Sequence, residues 1–180
     1  MATKAKQATL SLTIMTALTI ICFTLLSACT QDHKKAAPEF NINLYDTVDF
    51  ASGQIQKFPT TTSKVHVINF WFPSCPPCIA EMPELNKFYL EQKKQVGVIA
   101  IQLVGLDSVE DGQQFVTNKK IAFAVGADLD GKITTDYKVS VFPSTFFISA
   151  DGNIRKVWQG QITSDEIKEI VTPMIARKGG

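Results

Sequence analysis

Phe70-Trp71-Phe72-Pro73-Ser74-Cys75-Pro76-Pro77-Cys78 is the stretch on which the reading of this chain turns. It continues a β-branched and aromatic run that begins at Val65. Such a run predicts a buried central strand, Val65 to Trp71, which Pro73 ends. Proline suits the first turn of a helix, where a missing N–H breaks no intrahelical bond, so Pro76 and Pro77 predict a helix start. Two cysteines three positions apart at that start can close a small disulfide ring. Cys75 falls at the N-terminal end, where the helix dipole and free amides favour a thiolate. Cys78 falls one turn inside. An accessible thiolate that attacks a disulfide and a buried thiol that resolves the mixed disulfide are what thiol–disulfide exchange needs.

Downstream, Met82, Leu85, Phe88 and Tyr89 keep helical spacing, with Pro83 predicting a kink. Val96 to Leu103 reads as a strand. Ser108 to Asn118 reads as a helix with Ser108 as N-cap. Ala122 to Val125, Ser144 to Ile148 and Ile154 to Trp158 read as strands, the last two joined by an Asp151-Gly152 hairpin turn. Asp130 to Tyr137 reads as a short helix. Thr163 and Glu166 form a capping box for a final helix whose apolar face is Ile167, Ile170, Val171 and Met174. Upstream, Phe40 to Leu44 and Ile55 to Phe58 predict a hairpin ahead of the main domain. Early strands joined through helices imply parallel pairing, and the late hairpin an antiparallel edge.

The N-terminus has a different character. Lys4 and Lys6 precede an uncharged apolar stretch from Ala8 to Leu26, the pattern of an export signal. It is also close to the roughly 20 residues that span a bilayer. Leu26-Ser27-Ala28-Cys29 resembles the lipobox of bacterial lipoproteins, in which the cysteine is acylated and becomes the mature N-terminus. The expected organisation is a lipoprotein-type signal peptide over 1–28, a polar tether over 29–38, and one domain over 39–178. Cys29 is the expected lipid attachment, and the domain is expected to face the periplasm or extracytoplasmic space. Of four cysteines, Cys22 leaves with the signal and Cys29 carries lipid, so Cys75 and Cys78 alone serve the domain. The formal charge is +1, and no basic run interleaves with aromatics, so no nucleic-acid partner is implied.

The stretch from Phe70 to Cys78 resembles the active-site segment of the thioredoxin superfamily. Cys78-Ile79-Ala80-Glu81-Met82-Pro83 resembles the Cys-x-x-Glu-x-Pro continuation of its TlpA/ResA-like branch of membrane-anchored proteins. Val141-Phe142-Pro143-Ser144-Thr145-Phe146 resembles the loop that faces the two cysteines. The resemblance implies an α/β thioredoxin-like fold, with a mixed central sheet flanked by helices, here preceded by the hairpin. It implies that Cys75 attacks and Cys78 resolves, and that Pro143 is cis, docking extended client chain together with Phe142. Cytoplasmic thioredoxins carry a buried aspartate where this chain has Asn69, which cannot take a proton from Cys78. Glu81, one turn beyond Cys78, is the expected proton acceptor. Ser74 replaces the tryptophan that commonly precedes the first cysteine.

Redox direction follows from the helix start. Pro76 and Pro77 offer no amides to a Cys75 thiolate, leaving those of Cys78 and Ile79, and no Lys, Arg or His separates the cysteines. An ionised Glu81 would raise the thiol pKa further. Weak thiolate stabilisation predicts a reductant. Disulfide-containing exported proteins would be its clients, apocytochrome c in cytochrome c maturation among them. A membrane thiol-reducing electron-transfer protein would recharge it, and no resident cofactor is expected. Three readings compete. A peroxiredoxin-like peroxidase needs a lone peroxidatic cysteine with Thr and Arg neighbours. A copper-binding assembly factor needs wider cysteine spacing and a later histidine, whereas none follows His66. A binding module could use the fold without turnover. Zinc needs four ligands, and only His33 and His66 could join the pair, so no metal is expected.

Overall fold

The computed structural model describes residues 35–60 and 64–176. The expected signal peptide, Cys29, His33 and the first part of the tether lie outside the described residues. The chain enters the fold earlier than expected. Lys35–Ala36 (β1) pairs antiparallel with Asn153–Gln159 (β8), Lys35 opposite Ile154. Ala37 N donates to Gly152 O (2.9 Å), and Pro38 O accepts from Tyr137 Oη (3.0 Å). The last four residues of the expected tether thus belong to the domain. An open sheet edge offers unpaired backbone groups that a short strand can meet without any side-chain pattern.

The central strand is Val65–Trp71 (β4), buried at every position. It pairs in parallel with Val96–Leu103 (β5), which pairs in parallel with Ala124–Asp128 (β6). On its other side β4 pairs antiparallel with Ser144–Ile148 (β7), and β7 with β8. The order β1-β8-β7-β4-β5-β6 is the expected mixed sheet. Its two faces follow the strand period of two. Val65, Val67 and Trp71 pack toward Pro76–Gln92 (α1), with Val109–Asn118 (α2) and Ser164–Ala176 (α4) completing that layer. Ile68 and Phe70 pack on the opposite face against the hairpin and Lys132–Asp136 (α3).

The hairpin is Phe40–Asn43 (β2) with Ile55–Phe58 (β3). Phe40 stacks on Phe58 at 5.2 Å, and Leu44 bridges antiparallel to Gly126 on β6. A Cβ at Gly126 would stand 2.5 Å from Asn43 O, so glycine permits this approach. Helix starts are set locally. Ser108 and Asp111 make a reciprocal capping box on α2. Thr163 and Glu166 make one on α4, with Glu166 N donating to Thr163 Oγ1 at 3.3 Å and Thr163 N to Glu166 Oε2 at 2.8 Å. Asp128 at the end of β6 accepts from Thr134 N at 2.8 Å and so starts α3 later than expected. α1 continues through Pro83, which removes only the bond to Ile79 O. Among the described residues no helix is long and apolar enough to cross a membrane.

Topology brings the site together. β4 ends just before Cys75, and antiparallel β7 begins just after Pro143. Phe70 and Ser144 are register partners, so both segments meet at one edge of the sheet.

Candidate active site

Cys75 is the N-cap of α1 and is joined to Cys78 by a disulfide. Cys78 N donates to Cys75 Sγ at 3.3 Å. The Ile79 amide does not reach the sulfur, because it donates to Cys75 O at 3.0 Å. Pro76 and Pro77 have no amide hydrogen. One amide therefore serves Cys75 Sγ where the sequence led us to expect two. Both cysteines are buried in the disulfide form, Cys75 at 5% exposed and Cys78 at 0%, so the accessible first cysteine expected from the helix start is nearly covered here. Pro76, Pro77 and Ile79 stand exposed around them.

Glu81 lies one turn beyond Cys78 on the same helix face and has no exposed surface. Asn69 Nδ2 donates to Glu81 Oε1 at 2.6 Å, and Ile162 N donates to Glu81 Oε2 at 3.0 Å. Burial raises the carboxyl to about 7 against the pull of these two hydrogen bonds, which favour the ionised form. A buried carboxyl near neutrality can take and return a proton at physiological pH.

The Phe142–Pro143 bond is cis, and Ser144 Oγ donates to Val141 O at 2.6 Å within that loop. Phe142 packs edge-on against Phe72 at 5.3 Å, tying the loop to the segment before Cys75. Val141 is exposed beside it.

Three features escaped sequence reasoning. Asn69 is a donor to Glu81 and also to Thr145 Oγ1 at 3.0 Å; only the pairing of β4 with β7 reveals this. Ser74 donates from N (3.0 Å) and Oγ (2.8 Å) to Asp107 Oδ2, in the loop after β5 that also carries exposed Leu106. Trp71 Nε1 is buried without a hydrogen-bond partner. His66 sits on the sheet face away from the dithiol, its ring edge-on to Phe58 at 5.3 Å and its Nε2 3.2 Å from Thr60 Oγ1.

The chain is similar to known proteins in sequence and in fold. The model of the AhpC/TSA family matches residues 33–157. The thiol-disulfide oxidoreductase ResA of Oceanobacillus iheyensis is 32% identical over 155 residues, covering 82% of this chain and 78% of its own. The sporulation thiol-disulfide oxidoreductase A of Bacillus subtilis is 29% identical over 108 residues, covering 57% of this chain and 64% of its own. Among solved structures, a secreted Mycobacterium tuberculosis disulfide oxidoreductase homologous to Escherichia coli DsbE aligns with a TM-score of 0.63. That pair is 27% identical, over 74% of this chain and 95% of the other.

Proposed function

The chain belongs to the AhpC/TSA family and is a thiol–disulfide oxidoreductase, and we propose that its Cys75–Cys78 pair reduces disulfides of exported proteins outside the cytoplasmic membrane. The observation that carries this reading is the enclosed Cys75–Cys78 disulfide one helical turn from a buried carboxyl. In the reduced protein the Cys75 thiolate attacks a client disulfide, forms a mixed disulfide and expels one client thiolate. Glu81 takes the Cys78 proton. The Cys78 thiolate then attacks Cys75 Sγ, closes the internal disulfide and releases the second client sulfur, so the client gains the two electrons the pair loses. Pro143 and Phe142 form the wall against which client chain docks.

The direction is reductive because one amide among the described residues reaches Cys75 Sγ and no Lys, Arg or His separates the cysteines, so the reduced form is not favoured as it is in a strong oxidant. A membrane thiol-reducing electron-transfer protein restores the dithiol. Cys29 carries the lipid that holds the domain at the membrane, with apocytochrome c as one client class. A peroxidatic reading, which the family's breadth invites, is disfavoured by the paired cysteines. Among the described residues it also lacks an arginine there: Arg155 is tied to Asp151 (2.7 Å) beside the β7–β8 turn, at the far end of the sheet. Trapping with Cys78→Ser tests the proposal. Exported proteins held as mixed disulfides to Cys75 are the expected catch, and absence of any trapped disulfide partner contradicts it.

A further inference from the structure

Asn69 stands where a familiar acid is missing, yet its surroundings give it work of its own. It lies in the middle of β4, and both it and Thr145 have no exposed surface. A primary amide has two hydrogens. One goes to Glu81 Oε1 at 2.6 Å and the other to Thr145 Oγ1 at 3.0 Å. Asn69 and Thr145 are register partners on neighbouring strands, so the hydroxyl is fixed by backbone pairing. Turned over, the amide would set its oxygen against a carboxylate oxygen, acceptor to acceptor. The orientation observed instead leaves Asn69 Oδ1 buried and without a partner. A buried orphan carbonyl is destabilising, and an apolar residue in this position would carry none. Packing alone therefore does not account for an asparagine here, whereas donation to Glu81 does.

We infer that Asn69 and Thr145 are a positioning pair that fixes the Glu81 carboxylate beside the dithiol. The inference rests on Glu81 being the proton acceptor for Cys78. With Ile162 N on Oε2, each carboxylate oxygen has one donor, which sets the plane of the group and leaves a lone pair on each oxygen for a proton. Among the described residues two groups hydrogen-bond Glu81: Asn69 Nδ2 from β4 and the Ile162 amide ahead of α4. On the same helix the acid Glu84 accepts from Ser164 N at 3.0 Å. Neither donor to Glu81 is cationic, so these two N–H groups are what favour its ionisation.

The test is carboxyl carbon-13 NMR of Glu81 in the full chain, disulfide form, titrated from about pH 4 to about pH 9, where neither cysteine titrates. Asn69→Ala should raise the Glu81 midpoint by about one pH unit. That is tenfold in the proton equilibrium, about 1.4 kcal/mol. Thr145→Val, nearly isosteric, keeps the test open if Asn69→Ala does not fold, and should raise the midpoint at least twofold in the same equilibrium. A midpoint that stays put or falls in the folded variants overturns the inference. Glu81→Gln, assayed for the pH dependence of insulin reduction, separates the two layers. If it removes the pH step while Asn69→Ala leaves the midpoint unmoved, only the positioning pair fails. If Glu81→Gln leaves the pH profile unchanged, the proton-acceptor reading fails, and the positioning role with it.

Discussion

Replacing Glu81 with glutamine should make the stability difference from wild type depend on pH. In the folded chain burial raises the carboxyl from 4.5 to about 7. Between those values the folded protein keeps a proton that the unfolded chain has released. The Glu81 contribution to wild-type stability is therefore greatest at and below about pH 4.5 and falls as pH rises toward 7. The interval, at about 1.36 kcal/mol per pH unit, amounts to about 3 kcal/mol. A glutamine side chain cannot ionise, so that loss disappears in the variant. It has one acceptor oxygen for two buried donors, Asn69 Nδ2 and Ile162 N, which costs about 1–3 kcal/mol at every pH. Glu81→Gln should thus be less stable than wild type at pH 5 and equal or more stable at pH 8. Urea unfolding of the disulfide form at several pH values measures this, and the other titrating groups cancel in the difference. A difference that stays constant from pH 5 to pH 8 would refute a Glu81 carboxyl held near neutrality.

Other outcomes follow from contacts elsewhere. Gly112→Ala would place a Cβ 1.7 Å from Gln102 Oε1, in a side chain held by Tyr45 Oη and by Ser108 O. A loss of about 2–3 kcal/mol in denaturant unfolding is expected. Thr163→Ala removes the cap of α4 and should lower stability by about 1 kcal/mol, read as a lower Tm. Asp107→Ala frees the Ser74 backbone and hydroxyl beside Cys75. On an exposed segment this should change stability by less than about 1 kcal/mol while raising KM for insulin.

What the sequence disclosed and what it hid divides by range. The caps at Ser108 and Thr163, the strand into Cys75 and the proline-led helix are local patterns, and they appear where spacing placed them. The edge strand at Lys35–Ala36 is two exposed residues with no periodicity, made by an open edge on β8 more than 110 residues later. Glu81 is legible as an acid near Cys78, but its burial is not. That depends on Asn69 from β4 and on an amide at Ile162, brought in by the fold. Asn69 itself read as a missing acid, because its role as donor exists only when β7 lies beside β4 and Thr145 fixes the amide.

The reduction potential of the Cys75–Cys78 pair, measured at equilibrium against a glutathione or thioredoxin couple, tests the account most directly. One amide on Cys75 Sγ among the described residues, two prolines and no basic residue between the cysteines predict a value on the reducing side, nearer thioredoxin at about −270 mV than DsbA at about −120 mV. A value above about −150 mV would contradict it, because the pair would then oxidise the clients it is said to reduce.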